Sequence, residues 1–483
     1  MHLELDGRGP LQSQLVRALK DAVLSGRVAQ GVRFPPTRAL AQQLAVSRNT
    51  VLAAYEQLRA EGFMQGRVGS GSYVATPITP IAPAASAPRP AERGLPETDY
   101  VRRLRACHDH PRMPGRRVEG ARYSFQYGVP FTNPLLTTAW SRALAHAALY
   151  TPPTYPTAHG SPALRAAASE YIAHRRGVIC SPEDIIIVAG TQQAISLTAR
   201  VLLDPGDAAV IEEPQYFASR EALYTHGAEL VPVAIDREGL RTGDLPQRPP
   251  RLICVTPSHQ FPTGALMSLQ RRLALLEYAR RHDCWIFEDD YDGEFRYDAQ
   301  PHAALRSLDD SGRVVYVGSF SKVLFPSLRL GYVVVPPSLR DDFISAKWVD
   351  DFGSPAIEQA ALAQFMADGS FERHLRRTGK TLKQRRDALL EGLRRHCGQF
   401  LEIDDSHAGM HLLVWLRGRD AAQGEALIAH AATRALGLYS IAPYYLHAPD
   451  RAGLLMGFGA MSVAEIGEAA KLFGECLRET APA

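Results

Sequence analysis

Six short, almost purely apolar runs recur between residues 185 and 335 of this 483-residue chain. They occupy residues 185–188, 209–211, 252–255, 284–287, 314–317 and 332–335. Strands that are buried on both faces of a mostly parallel sheet have this composition, because neither side of them meets water. The runs therefore predict an α/β body with a large, mostly parallel sheet. Ligands bind such sheets at the carboxyl ends of strands, so the residues after each run are the first candidates for a functional site.

The run at 314–317 leads into a lysine with a distinctive set of neighbours. Ser319 and Ser321 precede Lys322, and Arg329 follows it by seven positions. A lysine amine forms a Schiff base with an aldehyde, and hydroxyl groups with an arginine fork bind a phosphate dianion. These residues are the parts needed to hold pyridoxal 5′-phosphate (PLP) by its aldehyde and its phosphate. A lysine beside serines is also common on a solvated surface.

This stretch resembles the fold-type I PLP enzymes of the aminotransferase class I/II family. The family motif SxSKxxxxxxRxGY is met by Ser319, Ser321, Lys322, Arg329, Gly331 and Tyr332. The resemblance implies that Lys322 forms the Schiff base with PLP and that Ser319, Ser321 and Arg329 bind the cofactor. It also implies that Gly190, Thr191 and Gln192 form the phosphate loop and that Tyr216 stacks on the pyridine ring.

The acidic segment EDDYDGEF, which begins at Glu288, is open to three interpretations. It is a solvated face, a site for a hard cation, or the part of a PLP site that holds the ring nitrogen and the 3-oxygen. On the third interpretation the resemblance assigns Asp289 to the nitrogen and Tyr291 to the oxygen. Many aminotransferases space this pair as DxxY, whereas here the two residues are two apart, so Asp290 remains an alternative. Tyr155 resembles the tyrosine that reaches the phosphate of the neighbouring subunit, which implies a homodimer.

The first 75 residues have a helical pattern that ends in a glycine-rich segment. Residues 10–26 read as an amphipathic helix, Thr37 is expected to cap a second helix, and Ser47 is expected to cap a third. After Gly62 the segment FMQGRVGSGSYVAT alternates around glycines like a β-hairpin, with Arg67 at its tip. Two short helices joined by a tight turn and followed by a hairpin predict a winged helix-turn-helix.

This N-terminal region resembles the winged helix-turn-helix domain of GntR-type bacterial transcription factors. The matching motif is PPTR…LAxxLxVSRNTVxxAYxxLxxEG. The resemblance implies that a double-stranded DNA operator is a partner of the chain. The DNA contacts that it implies are Arg38, Ser47, Arg48, Asn49, Thr50, Arg67 and Gly69.

A Pro/Ala-rich stretch separates the two regions and shows no periodicity, as is typical of a semi-rigid spacer. We therefore predict a winged helix-turn-helix domain at 1–75, a linker at 76–100 and an aminotransferase-like PLP-binding body at 101–483. Within the body we expect a large subdomain at about 145–345 and a smaller C-terminal α+β subdomain at about 346–483.

Two segments depart from the aminotransferase pattern. The usual Asn-Pro-x-Asn-Pro-Thr-Gly is replaced by TPSHQFPTG, with Phe261 in place of the second asparagine and His259 as either a polar substitute or a structural histidine. The arginine that clamps the substrate carboxylate is replaced by Leu455 or Met456 within GLLMGFGAM. Either another arginine takes over, or ordinary α-amino acids are not processed efficiently. TPSHQFPTG and EDDYDGEF resemble the MocR subfamily of GntR regulators, which fuse a winged helix to an aminotransferase-like body.

The sequence therefore predicts a PLP-binding transcriptional regulator that senses PLP or an amine or amino-acid effector, with PLP or amino-acid metabolism as its expected target. At most it retains residual transaminase activity. The alternative is an active PLP-dependent aminotransferase with a secondary DNA-binding domain, and a third interpretation is a regulator whose body binds no cofactor. Six scattered cysteines, a start unlike a secretion signal and the lack of long apolar runs predict a cytoplasmic protein without a membrane partner. We expect no metal site, since His108 and His110 beside Cys107 read as a polar loop.

Overall fold

The computed structural model describes residues 3–67, 71–75, 97–107, 115–129, 134–297, 303–447 and 449–481. The chain divides into two compact units, Met1–Pro96 and Glu97–Ala483. The Pro/Ala-rich stretch at 76–96 and the histidines 108 and 110 lie outside the described residues. No helix in the described part of the chain has the length and apolar character to cross a membrane.

The N-terminal unit contains three helices and a β-hairpin, as the sequence predicts. The helices are α1 (Leu11–Leu24), α2 (Thr37–Gln43) and α3 (Arg48–Ala60), and the hairpin pairs β1 (Met64–Arg67) with β2 (Gly71–Val74). Leu19, Leu40, Val51 and Leu58 have no exposed surface, so the helices share one core. The winged helix-turn-helix fold is confirmed.

The helix starts in this unit agree with the sequence at one cap and differ at the other. Ser47 caps α3, since its hydroxyl accepts a hydrogen bond from the Thr50 backbone N–H at 3.0 Å. Thr37 does not cap α2. It is already the first helical residue, and Pro36, with an extended backbone, takes the cap position without a side-chain hydrogen bond.

The second unit is an α/β body whose elements alternate through most of its length. Its helices are α4 (Asp99–Cys107), α5 (Pro134–Tyr150), α6 (Pro162–Arg176), α7 (Thr191–Leu202), α8 (Phe217–His226), α9 (Leu269–His282), α10 (Arg340–Asp351), α11 (Ala356–Ala367), α12 (Ser370–Cys397), α13 (Ala421–Thr433) and α14 (Val463–Glu479). Its strands are β3 (Tyr123–Ser124), β4 (Ile185–Val188), β5 (Ala208–Glu213), β6 (Glu229–Asp236), β7 (Gly239–Leu240), β8 (Leu252–Val255), β9 (Trp285–Asp290), β10 (Val314–Ser319), β11 (Gly331–Val334), β12 (Leu401–Asp404), β13 (His411–Leu416), β14 (Leu436–Gly437) and β15 (Gly453–Gly457). Helix α4 starts inside the segment 76–100 that the sequence assigns to a linker.

The large sheet has the strand order β4-β11-β10-β9-β8-β5-β6-β7. Strands β10, β9, β8, β5 and β6 run parallel, whereas β11 is antiparallel to both of its neighbours and β7 is antiparallel to β6. Each of the six apolar runs lies in or overlaps one of the strands β4, β5, β8, β9, β10 and β11. The predicted mostly parallel sheet is confirmed, and the carboxyl ends of β9 and β10 lie side by side.

A smaller layer forms the C-terminal part of the body. Strands β12, β13 and β15 make an antiparallel sheet, and α12 and α14 pack together beside it in one apolar core. Strand β3, which precedes the large sheet in sequence, pairs in parallel with β14 of this layer. The loop after β3 carries Tyr127 and Gly128 and connects this layer to the large sheet.

Candidate cofactor and DNA-binding sites

Lys322 lies in the turn directly after β10, at the carboxyl edge of the large sheet. Its Nζ donates a hydrogen bond to the Gly128 carbonyl at 3.1 Å. Burial lowers the pKa of Lys322, and the carboxylates of Asp292 and Asp289 partly oppose this shift. A lowered pKa leaves more of the amine neutral and therefore nucleophilic at neutral pH.

Asp289 and Asp290 end β9 and point to opposite faces of the sheet, because side chains alternate along a strand. Asp290 accepts hydrogen bonds from Arg176 and from the Tyr316 hydroxyl, the latter at 2.7 Å. The Oδ1 atom of Asp289 is buried and has no hydrogen-bond partner among the described residues. Burial, with the charges of Asp290 and Asp292, raises the pKa of Asp289 to about 7. Of these two aspartates, Asp289 is thus the one with an oxygen left to meet a ligand.

Tyr291 contacts a buried His259–Asp292 pair. The Tyr291 hydroxyl lies 2.9 Å from Nδ1 of His259, and the same nitrogen lies 3.0 Å from the nearer Asp292 carboxylate oxygen. His259 and Asp292 are both almost fully buried. The polar-contact interpretation of His259 therefore agrees with its position next to Tyr291.

The loop between β4 and α7 contacts Arg329, which precedes the neighbouring strand β11. Gly190, the N-cap of α7, has a φ of +83°, and a Cβ there would lie 3.3 Å from the Arg329 guanidinium. Arg329 donates to the Ala189 carbonyl at 2.7 Å. Thr191 and Gln192 open α7, and Gln192 donates to the Ala218 carbonyl at 3.3 Å. The helix N-terminus and the arginine together form an anion-binding environment.

The two serines differ in how their hydroxyls are used. The Ser319 hydroxyl accepts a hydrogen bond from the Ser321 backbone N–H at 3.2 Å. The Ser321 hydroxyl is buried, and within the described parts of the chain it has no partner. Like Asp289, Ser321 keeps a polar atom available for a ligand.

The two predicted tyrosines at the rim are both accessible. Tyr216 precedes α8, is 36% exposed, and has its ring centroid 5.9 Å from that of Phe261. Tyr155 is 90% exposed and lies in the segment between α5 and α6.

The structure also shows site residues that the sequence did not indicate. Arg176, at the end of α6, holds Asp290 and donates to the Ser258 hydroxyl at 2.6 Å. Asp292 orients His259, and Gly128 supplies the carbonyl that holds Lys322. Two of these had a sequence signal: Asp292 belongs to the acidic segment, and Gly128 belongs to the segment YGVP, which resembles the one that closes over the substrate in aminotransferases. The contacts of Arg176 had none, because they join residues more than 80 positions apart.

Four of the predicted DNA-contacting residues, Ser47, Arg48, Asn49 and Thr50, lie at the start of α3, and Arg38 lies in α2. Arg38, Ser47, Arg48 and Asn49 are exposed and Thr50 is half-buried. The Ser47 hydroxyl caps the helix by accepting from the Thr50 backbone N–H, and it also lies 2.8 Å from the Thr50 hydroxyl. Arg48 and Asn49 are therefore the side chains of this turn that face solvent. Arg67 ends β1, but its side chain and Gly69 lie outside the described residues.

Two family matches cover the two units. Residues 11–74 match bacterial regulatory proteins of the gntR family, and residues 130–470 match aminotransferase class I and II. The chain is 38% identical over 469 residues to the probable rhizopine catabolism regulatory protein MocR of Rhizobium meliloti, covering 95% of this chain and 92% of the relative.

Two further relatives represent regulators and enzymes. The chain is 30% identical to the HTH-type pyridoxine biosynthesis transcriptional regulator PdxR of Corynebacterium glutamicum, over 93% of this chain and 92% of the relative. The crystal structure of LysN, an α-aminoadipate aminotransferase from Thermus thermophilus complexed with N-(5′-phosphopyridoxyl)-L-leucine, matches with a TM-score of 0.68 and 26% identity, covering 75% of this chain and 93% of that one.

Proposed function

Because this chain belongs to the MocR-type regulators, in which a GntR helix-turn-helix precedes a class I and II aminotransferase domain, we propose that it is a transcriptional regulator that binds PLP through Lys322. The observation that carries this proposal is the set of groups around Lys322. The Lys322 amine is buried and has a lowered pKa. A carboxylate oxygen of Asp289 and the hydroxyl of Ser321 are buried and have no partner among the described residues. The loop at Gly190 faces the Arg329 guanidinium.

The residues present fit the chemistry of PLP. The phosphate would be held by the amides that open α7 and by Ser319, Ser321 and Arg329. Asp289 would face the ring nitrogen, Tyr291 the 3-oxygen and Tyr216 the face of the ring. The buried polar atoms of Asp289 and Ser321, which lack partners among the described residues, are the groups that such a ligand would satisfy.

When bound, PLP supplies an aldehyde that reacts with amines and a ring that withdraws electrons. The chain's own residues prepare for this chemistry. The Gly128 carbonyl positions Lys322 Nζ, and burial keeps part of the amine unprotonated. When ionised, Asp289 would favour a proton on the ring nitrogen, and the neighbouring Asp290 and Asp292 charges that raise its pKa would also favour positive charge there. His259 and Asp292 fix the Tyr291 hydroxyl at the edge of the site.

We also propose that the body is a homodimer. Three apolar side chains at the end of α10 are between 49% and 81% exposed: Trp348, Val349 and Phe352. The exposed Tyr155 lies near them in space, because Gly353 approaches the carbonyl of Thr157 so closely that a Cβ would not fit. Exposed apolar residues in one area are typical of an interface. Gln193 accepts from the Ala189 amide and donates to Asp350 and Asp351 of α10, which joins the proposed phosphate loop to this surface. Loop occupancy can thus affect the proposed dimer surface.

The proposed function is tested by measuring the binding of full-length protein to its own upstream DNA by fluorescence anisotropy. We expect saturating PLP to change the affinity about five- to a hundredfold, the usual range of coupling between two sites. Equal affinity with and without bound PLP would contradict sensing of PLP itself. Repeated turnover of an amino acid with release of keto acid would favour the aminotransferase alternative.

Asp289 and Asp290 form a matched pair of substitutions. Asp289→Asn should weaken PLP binding by about tenfold or more, since one charged hydrogen bond is lost, while the PLP-free protein keeps its thermal stability. Asp290→Asn breaks a pair with Arg176 in which both side chains are 3% exposed, and should lower the free energy of unfolding by about 3 kcal/mol. PLP titration and thermal unfolding separate the two effects. The reverse pattern would assign the ring nitrogen to Asp290.

A further inference from the structure

A cluster of aromatic rings connects the proposed cofactor site to the small β-sheet. The Phe261 ring centroid lies 5.7 Å from that of Tyr291 and 5.9 Å from that of Tyr216. On its other side it lies 5.0 Å from Tyr444 and 6.2 Å from Tyr127. Phe261 therefore contacts both the two tyrosines proposed to touch the PLP ring and the pair Tyr127 and Tyr444. A ligand on PLP would meet this aromatic cluster, consisting of Tyr127, Phe261 and Tyr444.

Leu455 packs against the same cluster from β15. It is fully buried, belongs to one apolar core with Tyr127 and Tyr444, and is paired with Leu413 of β13. The resemblance to aminotransferases puts a carboxylate-binding arginine at this position or the next. Met456 lies in a different core, on the opposite face of β15. Leu455 is therefore the residue that presents hydrocarbon where a carboxylate clamp would be needed.

The charges around the cluster are unfavourable to an anion. Burial raises the pKa values of Tyr127 and Tyr444. The other groups that affect these two pKa values are tyrosines, which supply no positive charge. His411, whose ring lies 5.5 Å from Phe261, has its pKa lowered by burial to about 4 and is neutral at pH 7. Among the described residues, none of the side chains named in this cluster carries a positive charge, so a carboxylate buried against them would lack a counter-ion, which is costly.

The cofactor side of the cluster is acidic instead. The charges of Asp292 and Asp289 raise the pKa of Lys322, and the charge of Arg329 lowers it. Arg329 is hydrogen-bonded to the Ala189 carbonyl, in the loop before α7. A cationic amine is attracted to this environment, and a carboxylate is repelled. The buried Arg220 of α8 is the cation that could replace the missing clamp: its Nη2 donates to the Pro443 carbonyl, but its Nη1 is buried without a partner among the described residues.

We propose that the effector is a primary amine with an apolar or aromatic body and no carboxylate. The acidic surroundings of Lys322 favour its amine group over a carboxylate, and Leu455 with the aromatic cluster packs against its body. This inference rests on the proposed function, since it names the ligand class of the same site.

The test uses probes that differ by one carboxylate. Full-length PLP-loaded protein is titrated calorimetrically with 2-phenylethylamine and with L-phenylalanine. We expect the amine to bind at least about tenfold more tightly. Equal or tighter binding of phenylalanine overturns the proposal, and so does tighter binding of ethanolamine than of 2-phenylethylamine. Phenylalanine binding that is lost in Arg220→Ala would assign the clamp to Arg220 and also overturn it.

Leu455→Arg supplies a positive control within the same cluster. It should bring phenylalanine to at least the affinity of the amine, whereas the uncharged Leu455→Met should keep the wild-type preference. If Leu455→Arg does not fold, the wild-type probe pair still decides the question.

PLP uptake is measured separately. Protein that takes up PLP but shows no preference between the two probes overturns only the ligand class, whereas absence of PLP uptake overturns the proposed function. The same pair titrated into PLP-free protein should still favour the amine, because the preference arises from side chains.

Discussion

Lys322→Ala protein should form no PLP adduct that survives borohydride reduction and should lose all response of DNA binding to PLP. The alanine methyl group has no nitrogen to condense with the aldehyde, so the proposed covalent attachment is lost completely rather than weakened. Reduction followed by peptide mass spectrometry measures the adduct on the peptide that contains residue 322. Anisotropy with and without PLP measures the response.

The matched control is Lys322→Arg, which keeps a cation beside Asp289 and Asp292 but does not form a Schiff base. It should resemble Lys322→Ala in the adduct assay and keep the DNA affinity of the PLP-free protein, because Lys322 lies in the second unit and α3 lies in the first. A reduced adduct on another lysine, with Lys322 unmodified, would show that the cofactor site lies elsewhere. Wild-type response in Lys322→Ala would remove the lysine from sensing.

The parts of the fold that the sequence predicted best are those buried on both faces. The apolar runs at 185–188 and 252–255 coincide with β4 and β8, because an interior strand leaves no polar position to blur its limits. Strand β6 was missed, since several of its residues are partly exposed and it contains Pro232. The pairing of β3 with β14 joins segments more than 300 residues apart, and two-residue strands carry no periodic signal.

The sequence could propose the candidate site where one local segment supplies the chemistry, as at Lys322 with Ser319 and Ser321. It could not do so where distant residues decide between neighbours. The spacing of Asp289 and Asp290 left the ring-nitrogen partner open, and what separates them is Arg176, which lies 114 positions earlier and occupies Asp290. Thr37 had the side chain of a helix cap, but the preceding proline determined where the helix starts.

The second large effect is expected in the N-terminal unit. Arg48→Ala should weaken specific operator binding by about tenfold or more while leaving PLP uptake unchanged. Arg48 is the first residue of α3, is exposed, and lies beside Ser47, whose hydroxyl caps the helix. A base-contacting arginine contributes about 1–3 kcal/mol of discrimination, which corresponds to roughly five- to 150-fold. Anisotropy with operator and with unrelated DNA measures this loss.

Salt dependence shows which kind of contact Arg48 makes. If it reads a base, the loss should be larger for operator than for unrelated DNA; if it binds a phosphate, both affinities fall and the slope of log K against log salt drops by about one. The control is Arg17→Ala, because Arg17 is paired with Asp6 at 2.8 Å and offers little free charge to DNA. Since the cap of α3 involves Ser47 and Thr50 rather than Arg48, the helix should stay intact. Unchanged operator affinity in Arg48→Ala would therefore mean that the start of α3 does not enter the groove.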